Sequence, residues 1–77
     1  MATKDELFAQ LADCTRAWNR NDLVPKSQQL RCRKIGRDLN EIGGMALMQE
    51  AYYKAKAENP DVHVIQAYWD GIGDWRW

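Results

Sequence analysis

A pair of glycines, Gly43-Gly44, constrains the fold of this chain more than any other feature of its sequence. The residues on both sides of the pair carry apolar side chains at the three- and four-residue steps of an α-helix. Glycine ends helices readily, because it adopts positive backbone φ angles at little steric cost. A second stop follows at Asn59-Pro60, since asparagine caps helices and proline suits their first position. The sequence therefore predicts two short helices that fold back on each other.

The same signals predict an all-α fold of four helices in a single domain, residues 1–77. The predicted helices span roughly 3–20, 26–42, 45–58 and 60–70. Thr3 and Glu6 match a capping box at the first start, and Ser27 can cap the second helix. Gly36, on the inner edge of the second helix, predicts close approach of another backbone. The residues predicted to face inward on the first three helices are Leu7, Leu11, Cys14, Trp18, Cys32, Ile35, Leu39, Ile42, Met45, Met48, Ala51, Tyr52 and Ala55.

Charge and composition argue against several classes of protein. Eleven basic and eleven acidic residues cancel, so the chain lacks the overall positive field that draws proteins to nucleic acid or anionic membrane. The sequence has no apolar run of about 18 residues and no signal-peptide pattern, which predicts a cytoplasmic location without a membrane segment. Two cysteines and one histidine are too few for a disulfide scaffold or a structural zinc site. We therefore expect neither metal nor cofactor.

One set of residues between positions 29 and 60 has the spacing of a helix-turn-helix unit, namely Cys32, Ile35, Gly36, Leu39, Gly43, Met48, Tyr52, Ala55 and Pro60. At this spacing, residues 29–60 resemble one tetratricopeptide repeat, which is about 34 residues long. Cys32 and Met48 match in position but depart in residue type, because the family usually has a large aromatic and a small residue there. Because single repeats do not bury a continuous core, the first and fourth helices would act as caps. The resemblance implies a non-catalytic module whose peptide-binding groove is lined by the first helix of the hairpin.

The helical wheel independently places one set of side chains together on the polar side of the second helix. These side chains are Leu30, Arg33, Arg37, Asn40 and Glu41. In one interpretation, Arg33 and Arg37 grip a partner carboxylate while Leu30 receives an apolar side chain. In the other, this is an ordinary solvated face, because singly exposed leucines are common.

A basic cluster on the same helix supports an alternative function. Arg31, Arg33, Lys34 and Arg37 can contact phosphates, which would make the chain a small regulatory nucleic-acid binder. Asp38 and Glu41 interrupt this face. We therefore rank nucleic-acid binding below binding of a protein or peptide.

Tyrosine and tryptophan side chains near the C-terminal end provide further candidate contacts. Four of these rings lie off the predicted inward stripes, namely Tyr53, Tyr68, Trp75 and Trp77. Tyrosine and tryptophan rings concentrate at binding hot spots. Their positions therefore predict an interface, either with another protein or with a second copy of the chain. The alternative is that the tail folds back to seal a thin core, because small domains need every apolar ring.

Cys14 and Cys32 lie at equal distances from the predicted turn between the first two helices. They are either a redox-active pair or, as we prefer, two buried thiols that act as small hydrophobic groups. His63 has no nucleophilic partner at a recognisable spacing. No phosphate-binding or catalytic motif occurs either. We therefore expect that the chain is not an enzyme.

Overall fold

The structure, a computed structural model, describes residues 3–16, 18 and 24–76. These residues form three α-helices, and a 3-10 turn precedes the last of them. No β-strand occurs among them, which confirms the all-α prediction for this part of the chain. The predicted second and third helices are joined into one long element, with a non-helical residue, Gly44, between its two parts. The elements are α1 (Lys4–Thr15), α2 (Lys26–Glu58), the 3-10 turn (Pro60–Val64) and α3 (Ile65–Trp69).

The first two helices start in different ways. The backbone N–H of Glu6 donates to Thr3 Oγ1 over 3.2 Å, so the predicted cap of α1 is confirmed. At α2, Pro25 occupies the capping position and no side chain caps the helix. Ser27 therefore does not cap α2 as predicted, but lies inside its first turn. Proline has no backbone N–H group, so the start of α2 leaves one fewer N–H donor without a hydrogen-bond partner.

The first helix ends at Thr15, well before the predicted end near Arg20. Carbonyl groups at a helix end need donors from elsewhere. The Thr15 carbonyl accepts the backbone N–H of Trp18 over 3.0 Å and the side-chain amide of Asn59 over 3.0 Å. These donors satisfy the carbonyl without a further helical turn. Residues 17 and 19–23, where the predicted helix would end, lie outside the described part of the chain.

Gly44 breaks α2 into two segments, residues 26–43 and 45–58. Its φ of 68° and ψ of −159° are not helical, and positive φ favours glycine. A straight helix of 33 residues would be about 50 Å long. The longest dimension of the molecule is 32 Å. The helix therefore bends sharply, and the break predicted at the glycine pair is confirmed at Gly44.

Contacts of Trp18 show that the two segments of α2 form a hairpin. The indole Nε1 of Trp18 donates to the side-chain oxygen of Gln28 over 2.7 Å, at the start of the first segment. The side-chain amide of Asn59, just beyond the second segment, donates to the Trp18 carbonyl over 2.7 Å. Both ends of α2 thus lie beside the same residue, which requires the segments to run in opposite directions.

The core lies between α1, the two segments of α2 and the C-terminal residues. Every residue predicted inward on the first three helices is buried or packs against the core, except Ile42, which is 43% exposed. Leu47, which the periodicity did not single out, is buried instead and packs against Gly43. The chain reverses next to Ile42, so the inward stripe of the first segment ends at Leu39.

The C-terminal part begins at the predicted cap, because the backbone N–H of Asp61 donates to Asn59 Oδ1 over 3.1 Å. Its first five residues form the 3-10 turn, and the α-helix covers only Ile65–Trp69. The predicted helix over residues 60–70 is thus half 3-10. Gly71 and Gly73 then adopt positive φ angles of 88° and 55°, as expected for a glycine stop.

Candidate functional site

The structure brings most of the predicted polar face together beside the C-terminal turn. Arg33, Arg37 and Asn40 line a depression of about 370 Å³ together with Glu41. Its opposite wall is the turn formed by Gly71–Gly73. We call this feature the Arg37 depression. Leu30 lies two turns before Arg37 on the same helix and is 58% exposed.

Arg33 has a structural task in this arrangement. Its Nη1 donates to the carbonyl of Tyr68 over 2.6 Å and to the carbonyl of Asp70 over 3.1 Å. These bonds cap the C-terminal end of α3, where cations are favourable. Arg33 is half-buried. This weakens the hypothesis that Arg33 and Arg37 bind a partner carboxylate equally, because one terminal nitrogen of Arg33 is already bonded to backbone carbonyls.

Arg37 is the more available cation of the pair. It is exposed and makes no hydrogen bond or ion pair with another described residue. Asn40 is half-buried and packs against the glycine turn, since a Cβ at Gly73 would lie 2.5 Å from Asn40 Oδ1. Because Gly73 also has a positive φ of 55°, a side chain would be strained at this position, so Gly71 and Gly73 contribute backbone to the wall of the depression.

Two of the four predicted aromatic contacts remain at the surface. Tyr53 is 63% exposed, and its ring lies 5.3 Å from that of Tyr52 in a tilted arrangement. Tyr68 is half-buried and meets Trp18 edge-on at 5.9 Å. Burial raises the pKa of Tyr68, and the nearby Cys32 adds to this shift.

Trp75 belongs to the core, which corrects its assignment as a partner contact. It is 4% exposed and packs edge-on against Trp69 at 5.2 Å and Tyr52 at 5.9 Å. For this residue the structure supports the alternative in which the tail seals a thin core. Trp77 lies outside the described residues.

The basic cluster considered for nucleic acid is partly neutralised. Lys34 Nζ lies 3.0 Å from Asp38 Oδ2 in an exposed ion pair, and Arg33 is bound to backbone carbonyls. Arg31 and Arg37 remain exposed. A phosphate backbone would therefore meet two cations on this helix that pair with no described residue, Arg31 and Arg37, and the second terminal nitrogen of Arg33, instead of four open cations.

Both cysteines are free thiols inside the core. Cys14 is 7% exposed and Cys32 is fully buried. Burial raises the pKa of both thiols, and it raises that of Cys32 to about 12, with a smaller contribution from the neighbouring Cys14. A raised pKa disfavours the reactive thiolate. The environment of both residues thus fits small hydrophobic groups better than a redox pair.

A second depression, of about 240 Å³, lies between α1 and the second segment of α2. Sequence reasoning missed it, although its alanines recur at helical spacing. Lys54 Nζ lies over the Phe8 ring at 5.4 Å from its centroid. The residues that line it are Asp5, Phe8, Ala9, Ala12, Ala51, Lys54, Ala55 and Glu58.

Neither metal nor membrane chemistry is evident in the described residues. Within residues 3–16, 18 and 24–76, no three His, Cys, Asp or Glu side chains come together as a metal site. No helix in that part of the chain combines the length and the apolar character needed to cross a membrane.

No protein-family model, curated protein or solved structure matches the chain.

Proposed function

We propose that this protein is a small non-catalytic interaction module that binds a partner protein or peptide, or a second copy of itself. The observation that carries the proposal is the exposure of large apolar side chains along α2, namely Leu30 at 58% and Tyr53 at 63%. Both project from a helix whose opposite side is packed into the core. Exposed aromatic and aliphatic side chains on a supported helix are typical contact residues.

The hairpin in α2 supports the same proposal. Its reversal at Gly44 agrees with the proposed likeness of residues 29–60 to a tetratricopeptide unit, in which one helix of a hairpin presents a groove to a peptide. Here that helix is the first segment of α2. Its inner side contacts the core through Cys32, Ile35 and Leu39, which leaves its outer side for a partner.

A protein partner is favoured over nucleic acid by the charges on that outer side. Arg33 and Lys34 are already engaged, and the chain has no net charge. Binding of phosphates needs several open cations and depends strongly on salt. Titration of a labelled oligonucleotide at low salt tests this alternative, and a salt-dependent affinity would replace the present proposal.

Selection from a random peptide display library, together with sedimentation analysis over a range of protein concentrations, tests the proposed function. The variant Leu30→Ser/Tyr53→Ser removes the exposed apolar side chains, and Ala46→Ser/Ala57→Ser serves as a matched control at exposed positions of the same helix. We expect peptide binding or self-association that falls at least ten-fold in the first variant and persists in the control. A chain that stays monomeric and yields no binder sensitive to the first variant would refute the proposal.

A further inference from the structure

We propose that the Arg37 depression is a recognition site for a side-chain carboxylate of a bound peptide, and that Leu30 receives an apolar side chain of the same peptide. This inference rests on the proposed function and names the chemistry of the partner. Its first support is charge. The lining side chains are two arginines, one glutamate and one asparagine, so the depression is net positive within a chain that is neutral overall.

Arg37 supplies the open charge. It is exposed and pairs with no other described residue, although Glu41 lies one turn further along the same helix. A guanidinium group without a partner keeps its forked donors available for a carboxylate, with which it forms charge-assisted hydrogen bonds. Asn40 adds an amide at the same depression.

Arg33 contributes a second guanidinium whose orientation is fixed in advance. Both of its hydrogen bonds to the end of α3 use Nη1, and a guanidinium has five N–H donors in a rigid fork. Its Nη2 faces Gly71, where an added Cβ would lie 4.0 Å away. A side chain that is already immobilised loses little conformational entropy when a ligand binds.

The glycine turn keeps the depression open. Gly71 and Gly73 both have positive φ angles, so side chains are disfavoured at these positions. The wall opposite Arg37 is thus formed without side chains at two of its three residues. A peptide backbone can approach such a wall more closely than one covered by side chains.

Leu30 sets the spacing of the recognised sequence. Leu30 and Arg37 are seven residues apart, which places them nearly in line on one helix face, separated by about 10 Å along the axis. In the polyproline II conformation, a peptide rises about 3.1 Å per residue and repeats its side-chain direction every three residues, so two side chains three positions apart lie about 9 Å apart on the same side. The spacing therefore predicts an acidic residue and an apolar residue three positions apart in a partner peptide of this conformation.

The test uses fluorescence anisotropy with two labelled peptides. Each is a decapeptide of Gly and Ser that carries an uncharged fluorophore on its N-terminus and an amide at its C-terminus, and that contains one leucine and, three positions away, either glutamate or glutamine. Because both ends are blocked and the fluorophore has no acidic group, the glutamate side chain is the peptide's single carboxylate. We expect the glutamate peptide to bind at least ten-fold more tightly than the glutamine peptide.

Variants of the protein locate the effect. Arg37→Gln should remove the preference for glutamate, whereas Arg31→Gln, an exposed control on the same helix outside the depression, should keep it. Arg37 pairs with no other described residue, so we expect circular dichroism and melting of the variant to match the parent chain.

Three results would overturn the inference: equal binding of the two peptides, equal effects of the two variants, or no binding of either peptide at millimolar concentration. None of these results would refute the broader proposal of an interaction module, which the peptide display selection tests separately. Selected binders without acidic residues would support an interaction module while refuting the carboxylate site.

Discussion

The indole ring of Trp69 occupies the space that a side chain at position 36 would need. A Cβ built on Gly36 would lie 2.5 Å from Trp69 Nε1 and 2.7 Å from its Cδ1. The same Nε1 donates to the carbonyl of Cys32 over 2.9 Å. The close approach predicted at Gly36 is therefore made by a side chain from α3, not by a neighbouring backbone.

We expect Gly36→Ala to lower the free energy of unfolding by roughly 1–3 kcal/mol, because the added methyl group overpacks a fully buried ring. Without Trp69, the same change in a helix would stabilise by up to about 1 kcal/mol. Urea denaturation measures the difference. Ala46→Gly at an exposed helical position reports the propensity effect alone. A Gly36→Ala variant more stable than the parent would contradict the packing described here.

Trp75 should contribute strongly to stability. Replacing a buried tryptophan with alanine costs about 3–5 kcal/mol, a large share of the roughly 4–12 kcal/mol expected for a domain of this length. Trp75→Phe retains a ring and should lose about 1 kcal/mol or more. Thermal melting of both variants checks this order, with Tyr53→Ala as an exposed control. Unchanged melting with loss of self-association would instead make Trp75 an interface residue.

Cys32 should make stability fall at high pH. Its pKa is raised from 9.0 to about 12 in the folded chain, first by burial, so folding favours the neutral thiol. Its contribution is complete below the pKa of the unfolded chain and is lost as pH rises from about 9 towards 12. Denaturation of the parent and of Cys32→Ala across this range measures the effect. If both chains lose stability equally, Cys32 is not its source.

Gly44 should tolerate replacement by D-alanine but not by L-alanine. A Cβ at this position meets nothing within 4 Å, so only the backbone φ of 68° opposes substitution. L-alanine should destabilise by about 1–3 kcal/mol, because a φ of 68° combined with a ψ of −159° lies in a region that is essentially restricted to glycine. D-alanine, introduced by chemical synthesis, should stabilise by up to about 1 kcal/mol, because it restricts the unfolded chain without strain. The reverse order, with L-alanine more stable than D-alanine, would show that α2 passes straight through Gly44 as a right-handed helix.

Helical periodicity and the positions of helix-ending residues were sufficient to predict the parts of the fold that depend on residues close together in sequence. The inward stripes that contain Leu11, Ile35 and Met48, the break at Gly44 and the cap at Asn59 all follow from such local rules. The end of α1 does not, since it depends on an amide 44 positions away along the chain. The exposure of Ile42 likewise depends on where the chain turns.

The candidate site was predictable only in part. Helical spacing was enough to group Arg33, Arg37 and Asn40, because they share one face of one helix. It could not indicate that Arg33 caps a helix 35 residues further along, nor that the glycine turn would face Asn40. Both facts arise from tertiary packing, which leaves no periodic signal in the sequence.

The side chain of Asn59 bonds to Thr15, Trp18 and Asp61, so one amide serves the end of α1 and the start of the C-terminal turn at once. Unfolding at the end of α1 therefore breaks bonds of the same side chain that holds the start of the C-terminal turn. We expect these two regions to unfold together, so that their amide hydrogens exchange through the same opening event.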